Sequence, residues 1–222
     1  MIRASHLSKA YAPGQPVLDN LSFEARPGEV TLMLGPNGVG KSTTLRLLAG
    51  LARPDAGEVS IAGYDIAEVA AQEHLSYLPQ QIAFHPWMRC EAVLGFYAGL
   101  RGVADIPGRV GQMLRLVGLE KEARKRSGAL SGGLRQRLGL AVLWLPDAPV
   151  LLLDEPGLSL DPHWRQRLKE QLQAEAAQGK TVLVATHLLG EWEGVAHRAL
   201  WVHPGGNVVE MNPDHLREPV YY

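Results

Sequence analysis

The sequence predicts an α/β protein built on a mostly parallel sheet, and two observations carry that expectation. Short apolar runs bounded by turn residues alternate along the chain with longer stretches of helical periodicity. One such run, Val30 to Leu34, leads straight into a glycine-rich segment, Gly35 to Gly40, and then into a helical pattern, Ser42 to Ala49, that Gly50 ends. With 222 residues, 46% of them hydrophobic, the chain is long enough for one sizeable core and short for two, so positions 1–222 are expected to form a single domain.

Ahead of that unit, Ile2 to His6 and Ser22 to Ala25 read as strands of an N-terminal antiparallel layer, joined through the turn residues around Ala12 to Pro16. Gly57 to Ile61 and Leu75 to Leu78 read as further strands. Cys90 to Leu100 and Arg109 to Val117 carry apolar residues at helical spacing, and Ser131 to Leu145 is a third helix, so about residues 82–145 form a helical insertion. The core then resumes. Val150 to Leu153 and Thr181 to Ala185 are apolar throughout, as strands covered on both faces are, with the polar amphipathic helix Pro162 to Gln178 between them. Beyond Ala199, two short strands flank Pro204-Gly205-Gly206, and a last helical turn is expected near Asp214 to Arg217.

Composition removes several classes. The 22 Lys and Arg against 23 Asp and Glu leave a formal charge of -1, which lacks the electrostatic footprint of a dedicated nucleic-acid binder or a basic membrane-surface protein. Cys90 is the sole cysteine, so neither an internal disulfide nor a cysteine metal framework is available, as suits a reducing compartment. A membrane span needs about 20 apolar residues, and the nearest stretch, Ala141 to Leu153, is cut by Pro146, Asp147 and Pro149. Met1 to Lys9 mixes charges and hydroxyls and offers no apolar export core.

Gly35-Pro36-Asn37-Gly38-Val39-Gly40-Lys41-Ser42 matches G-x-x-x-x-G-K-[ST], between a strand and a helix as that loop requires. Its glycines let successive backbone N–H groups turn toward phosphate oxygens, and the helix behind adds its positive end. Lys41 is expected between the β- and γ-phosphates and the Ser42 hydroxyl on Mg²⁺, with Thr43 supporting the α-phosphate. This pattern alone implies nucleotide binding and nothing finer.

Val150-Leu151-Leu152-Leu153-Asp154-Glu155 supplies the second site: an apolar strand that ends in two carboxylates beside the phosphate loop. Asp154 is expected to hold Mg²⁺. Glu155 is placed to polarise a water for in-line attack on the γ-phosphorus, which makes ATP hydrolysis the favoured chemistry.

Leu130-Ser131-Gly132-Gly133, shortly before that strand, resembles the signature of the ATP-binding-cassette (ABC) ATPases. The resemblance extends to Tyr11 as the aromatic that stacks on adenine, Gln80 as the catalytic and metal-binding glutamine of the Q-loop, Ser159-Leu160-Asp161 as the D-loop and His187 as the switch histidine. The motifs stand in the family's order over positions 11–187. Taken singly, each auxiliary residue has a plainer reading: Tyr11 as core, Gln80 or its neighbour Gln81 as a solvated side chain, Ser131-Gly132-Gly133 as a helix cap, His187 as a loop histidine.

Membership in that family implies a P-loop NTPase of ABC type, with ATP and Mg²⁺ as cofactors and a head-to-tail dimer. In it Lys41, Gln80, Glu155 and His187 of one subunit and Ser131, Gly132, Gly133 and Asp161 of the other, or of a homologous cassette, meet around each nucleotide. A single short cassette most resembles the separate ATP-binding subunit of a transporter, peripheral on the cytoplasmic face of membrane permease subunits, with no nucleic-acid partner. A cassette acting on ribosomes or DNA is the alternative, and it would carry tandem cassettes or a long coiled-coil insertion. The segment Ile82 to Leu100, with Phe84, Trp87 and Phe96, is either the groove for a permease helix or core, and exposure separates the two. Leu134-Arg135-Gln136-Arg137-Leu138 resembles exporter-type cassettes. Leu134, where the family usually has Gln, puts trans contacts in doubt, and Gly157, where it often has Thr, loosens the backbone ahead of the D-loop.

Overall fold

A computed structural model of the chain describes residues 1–215. Two sheets divide the strands. β1 (Ile2–Ala12), β2 (Gln15–Ala25), β4 (Ala56–Ile61) and β5 (Tyr64–Asp65) form an antiparallel layer in the order β2-β1-β4-β5. β3 (Val30–Leu34), β6 (Leu75–Leu78), β7 (Val150–Asp154), β8 (Thr181–Thr186), β9 (Arg198–Val202) and β10 (Val208–Met211) form the second, ordered β10-β9-β3-β8-β7-β6. Its strands are parallel except for β10, which returns antiparallel on β9.

Every residue of β3, β7 and β8 is buried, because the parallel sheet is covered on both sides. Alternation then sorts the side chains. Leu32, Leu151, Leu153 and Val184 enter one apolar cluster, while Met33, Leu152 and Leu183 enter the other. The first cluster is completed by α3 (Cys90–Leu100), α4 (Ile106–Leu116), α5 (Gly132–Trp144) and α6 (Pro162–Ala177). The second is completed by the antiparallel layer and α1 (Lys41–Leu48). Among the described residues no helix is long and apolar enough to cross a membrane.

The parallel strands, β6, and helix α3 fall where their patterns put them, and other elements are longer than expected. β1 and β2 run well beyond Ile2 to His6 and Ser22 to Ala25. His6 and Asn20 adopt φ of 54° and 60°, and the strand register shifts between Ala4 and Leu7, so strict alternation breaks although pairing continues. The two left-handed residues face each other, His6 Nδ1 lying 2.7 Å from Asn20 Oδ1. α4 starts three residues early because Asp105 caps it, accepting from the Gly108 N–H at 3.0 Å, and Pro107 occupies its first turn. β5 and the short helix α2 (Val69–Glu73) were not foreseen. A short 3₁₀ turn, Pro213–His215, stands where the last helical turn was expected, and Leu216 and Arg217 lie outside the described residues.

What the fold does for the site follows from register. Leu34 pairs with Thr186, Asp154 with Ala185, and Leu78 with Leu153. The loops after β3, β6, β7 and β8 therefore leave one carboxyl edge of the sheet side by side, where open parallel sheets place ligands.

Candidate nucleotide site

The four loops enclose a pocket lined by Val17, Asn37, Gly38, Gly40, Lys41, Ser42, Thr43, Gln80, Glu155, Leu158 and His187. Its floor is the start of α1, whose N-cap, Gly40, has φ 107°; Gly38 has φ 83°. Side chains are strained in both conformations. Gly40 answers a second constraint, since a Cβ there would stand 2.6 Å from Leu18 Cδ2. Gly35 answers a packing one, with a Cβ 2.7 Å from the Val202 carbonyl. Val39 turns into the core. The loop thus leans on β2 and β9, and its glycines serve those contacts as well as any phosphate.

Lys41 is buried and its Nζ donates to the Gly35 and Pro36 carbonyls at 2.7 and 3.0 Å. The ammonium holds the loop closed while keeping its charge in the pocket lining. Burial pulls its pKa down, and Glu155 and Asp154 work against that shift.

Asp154 ends β7 almost fully buried, hydrogen-bonded with Ser42, and its Oδ1 has no partner. Burial pushes its carboxyl up and the negative Glu155 adds to this, while the Ser42 hydrogen bond and Lys41 oppose it. An ionised carboxylate with an orphaned oxygen beside a hydroxyl is a costly arrangement for the bare protein, and it fits the oxygen ligands that a hard divalent cation takes. Beneath it Tyr77, hydrogen-bonded with Arg46, has its phenol pushed up to about 12, by burial first and Asp154 second.

Glu155 is the strained residue of the site. Its φ is 48°, a left-handed conformation that costs a non-glycine residue about 1–3 kcal/mol. Its N–H donates to the Ala185 carbonyl at 2.9 Å. Thr186 Oγ1 donates to its Oε2 at 2.9 Å, and His187 Nδ1 lies 2.7 Å from its Oε1. An ionised carboxylate only accepts, so the imidazole carries its proton on Nδ1 in that bond. Each carboxylate oxygen retains a free lone pair for a water.

The other expected residues are distributed as follows. Gln80, not Gln81, lines the pocket, and so do Asn37 and Thr43. Tyr11 does not: it is 60% exposed near the end of β1, with Lys9 Nζ 5.7 Å from its ring centroid. Ser131, Gly132, Gly133 and Asp161 also lie off this pocket. Ser131 caps α5, accepting from the Leu134 N–H at 3.4 Å, and Asp161 caps α6, accepting from the Trp164 N–H at 3.0 Å. Two lining residues escaped the sequence reading. Val17 and Leu158 carry no motif, and only the fold of β2 and of the loop after Glu155 brings them here.

Residues 18–157, more than half the chain, match the ABC transporter family. This chain belongs to that family, as its ATP-binding, ATPase component. It is 38% identical over 206 residues to the Nod factor export ATP-binding protein I of Burkholderia pseudomallei, covering 91% of this chain and 68% of that protein. A solved structure described as the ATP binding subunit of an ABC transporter superposes with a TM-score of 0.86 at 29% identity, over 92% of this chain and 87% of that one. A dimeric bacterial ABC transporter cassette, MJ0796, has the same TM-score at 23% identity, over 96% and 99%, and shares the fold.

Proposed function

We propose that this cassette binds and hydrolyses Mg-ATP in a head-to-tail dimer, from the cytoplasmic face of separate membrane permease subunits, to power export. The observation that carries the chemistry is the Glu155 carboxylate, held by Thr186 and His187 over the pocket that Lys41 and Ser42 floor. Glu155 accepts the proton of the attacking water, whose oxygen bonds to the γ-phosphorus as the bond to the β–γ bridging oxygen breaks, giving ADP and phosphate. His187 keeps the carboxylate aimed, Gln80 closes the pocket wall, and Lys41 exchanges its two carbonyl partners for phosphate oxygens. Ser42 and Asp154 would hold Mg²⁺, with Gln80 within the same lining; the ion supplies charge neutralisation to the phosphates.

Ser131, Gly132, Gly133 and Asp161 do not line their own pocket, which suits a role on a partner's nucleotide. A relative described as dimeric supports a second copy, or a homologous cassette, as that partner. Export is the direction named for the Nod factor relative. For the permease, exposure separates the two readings of the segment after Gln80. Trp87 and Phe96 are 69% and 54% exposed, while Phe84 packs edge-on against Tyr97 at the rim of the core. Arg126 lies 5.5 Å over the Trp87 ring. Such an exposed aromatic face suits docking of a permease helix.

The test is affinity purification of the chain from gently solubilised native membranes, with Mg-dependent ATPase activity measured on the eluate. A polytopic permease recovered in stoichiometric amount is the expected result. Reproducible recovery of ribosomes or DNA-repair proteins instead, from intact membranes, would replace the transport reading with a soluble one.

A further inference from the structure

Helix α5, which carries Ser131 at its start, is bolted to the loop that leaves Glu155. Gln136, 6% exposed, donates from Nε2 to the Pro156 carbonyl at 2.9 Å in a buried bond. Pro156 is the residue after Glu155, whose backbone sits in the left-handed region. One turn earlier in α5, Gly133 lies so close to this loop that a Cβ would stand 2.9 Å from the Ser159 carbonyl. One residue later, the Arg137 guanidinium stacks 4.3 Å from the ring centroid of Trp164, and the Trp164 backbone N–H donates to Asp161 Oδ1. Of these contacts only the Gln136 bond reaches the residue next to Glu155, at the carbonyl of the Pro156–Gly157 peptide. Nothing else in α5 has a claim on Gln136, which is a buried polar side chain in an otherwise apolar helix face.

We propose that Gln136 is a positioning residue for Glu155: through its bond to Pro156, the orientation of α5 sets where the carboxylate stands. The inference rests on Glu155 being the base. It adds a route inside one chain from the signature helix, which addresses the partner's nucleotide, to the carboxylate that addresses its own. A left-handed backbone at Glu155 persists only where its surroundings hold it, and the Pro156 carbonyl is the point at which α5 takes part in holding it. When α5 swings without that bond, the carboxylate relaxes and the water loses its acceptor. A displacement of this kind costs turnover and leaves ground-state ATP binding untouched.

The experiment compares Mg-ATP kinetics of the purified full chain with those of Gln136→Leu, Gln136→Glu and Glu155→Gln, each with its thermal midpoint. Gln136→Leu should lower kcat about tenfold at an unchanged KM for ATP. Gln136→Glu carries its own control, since a buried carboxyl donates to a carbonyl only when protonated. The ratio of its kcat to that of the wild type should rise between about pH 8 and pH 6, as burial-raised protonation restores the donor. If Gln136→Leu loses stability, this pH-dependent rescue still decides, because a packing defect does not titrate. Wild-type kcat in Gln136→Leu, or a Gln136→Glu ratio that stays at the Gln136→Leu level across the pH range, overturns the inference; a ratio flat at the wild-type level means the carboxyl stays protonated and donates throughout, and supports it. Turnover surviving in Glu155→Gln removes the base assignment as well, so the two failures are told apart.

Discussion

Two helices of this chain begin with glycines and a serine, and they end in different situations. α1 starts from a loop that wraps back on itself, with Lys41 bonded to the loop carbonyls and Asp154, Glu155 and His187 standing opposite. α5 starts at Ser131, exposed, its oxygen capping Leu134 and its hydroxyl proton free to donate outward. The first is a site with walls, the second a site with a floor only. One chain brings the proposed reacting groups together at α1 and leaves α5 open on one side, and the proposed dimer would complete the second without altering the first.

The largest way to break that comparison lies inside the walled site. Glu155→Gln keeps the size and one of the two acceptor contacts, its amide nitrogen replacing the other oxygen, and cannot take a proton. With the proton acceptor and one of these contacts gone, it should lower kcat by about 10²–10⁴-fold while ATP still binds, read by single-turnover kinetics beside nucleotide affinity. ATP binding that falls in step with turnover would instead make Glu155 part of the loop's structure.

A tenfold-scale effect separates the two constraints at α5. Gly133→Ala places a Cβ 2.9 Å from the Ser159 carbonyl, so α5 or the loop after Glu155 must shift, and turnover should fall about tenfold even though the pocket is intact. Gly132→Ala meets only the Ser159 side chain at 3.9 Å, an ordinary contact. Its own chain tolerates it. A loss of turnover in Gly132→Ala is therefore what the proposed dimer contact predicts, and dimer formation by Glu155→Gln with and without the alanine measures it.

The sequence made the walled site legible because its parts are local. A glycine loop of fixed spacing, an apolar strand ending in Asp154-Glu155, and the fully buried β7 and β8 each declare themselves over a few residues. Contacts between distant segments were silent. Val17 and Leu158 reach the pocket through strand pairing and a loop turn and carry no motif, while Gln136 stands in the stretch after the signature but finds Pro156 across twenty positions, a contact no local pattern announces. Conformation outside the common regions was silent too. His6 and Asn20 break the alternation that marks a strand, so the antiparallel layer read as shorter than it is. Gly157 shows the same limit from the other direction: a Cβ there would stand 3.1 Å from Glu191 Oε1, so this glycine makes room for a carboxylate that pairs with Arg165 at 3.5 Å.

Stability offers a smaller, opposite-signed test of the walled site. The Asp154 carboxyl is raised by folding, with burial the first cause. Folding then favours its protonated form. The ionised carboxylate begins to cost stability as pH rises above the unfolded value, and the cost is complete once pH exceeds the folded one. Asp154→Asn should therefore melt higher than the wild type at neutral pH without nucleotide, by about 2–4 °C for each kcal/mol recovered. The same variant should lose the further stabilisation that Mg-ATP gives the wild type. A lower midpoint without ligand would mean that the pairing with Ser42 and Lys41 outweighs burial.

The smallest expected effect falls on Tyr11, the expected adenine-stacking residue, which does not line the pocket. Its ring is exposed and Lys9 sits near its face, while Val17 takes the lining position on the same layer. An adenine stacked on an exposed aromatic gains at the low end of about 1–3 kcal/mol. Tyr11→Ala should accordingly weaken ATP binding about fivefold at unchanged kcat. Stacking takes any purine, so GTP binding should weaken by the same factor, whereas a hydrogen-bonding role would separate the two nucleotides. Unchanged affinity for both would move the base off the ring and onto the β2 edge at Val17. Val17→Ala would then carry the loss, and the antiparallel layer would meet the nucleotide through the same strand on which Gly40 already leans.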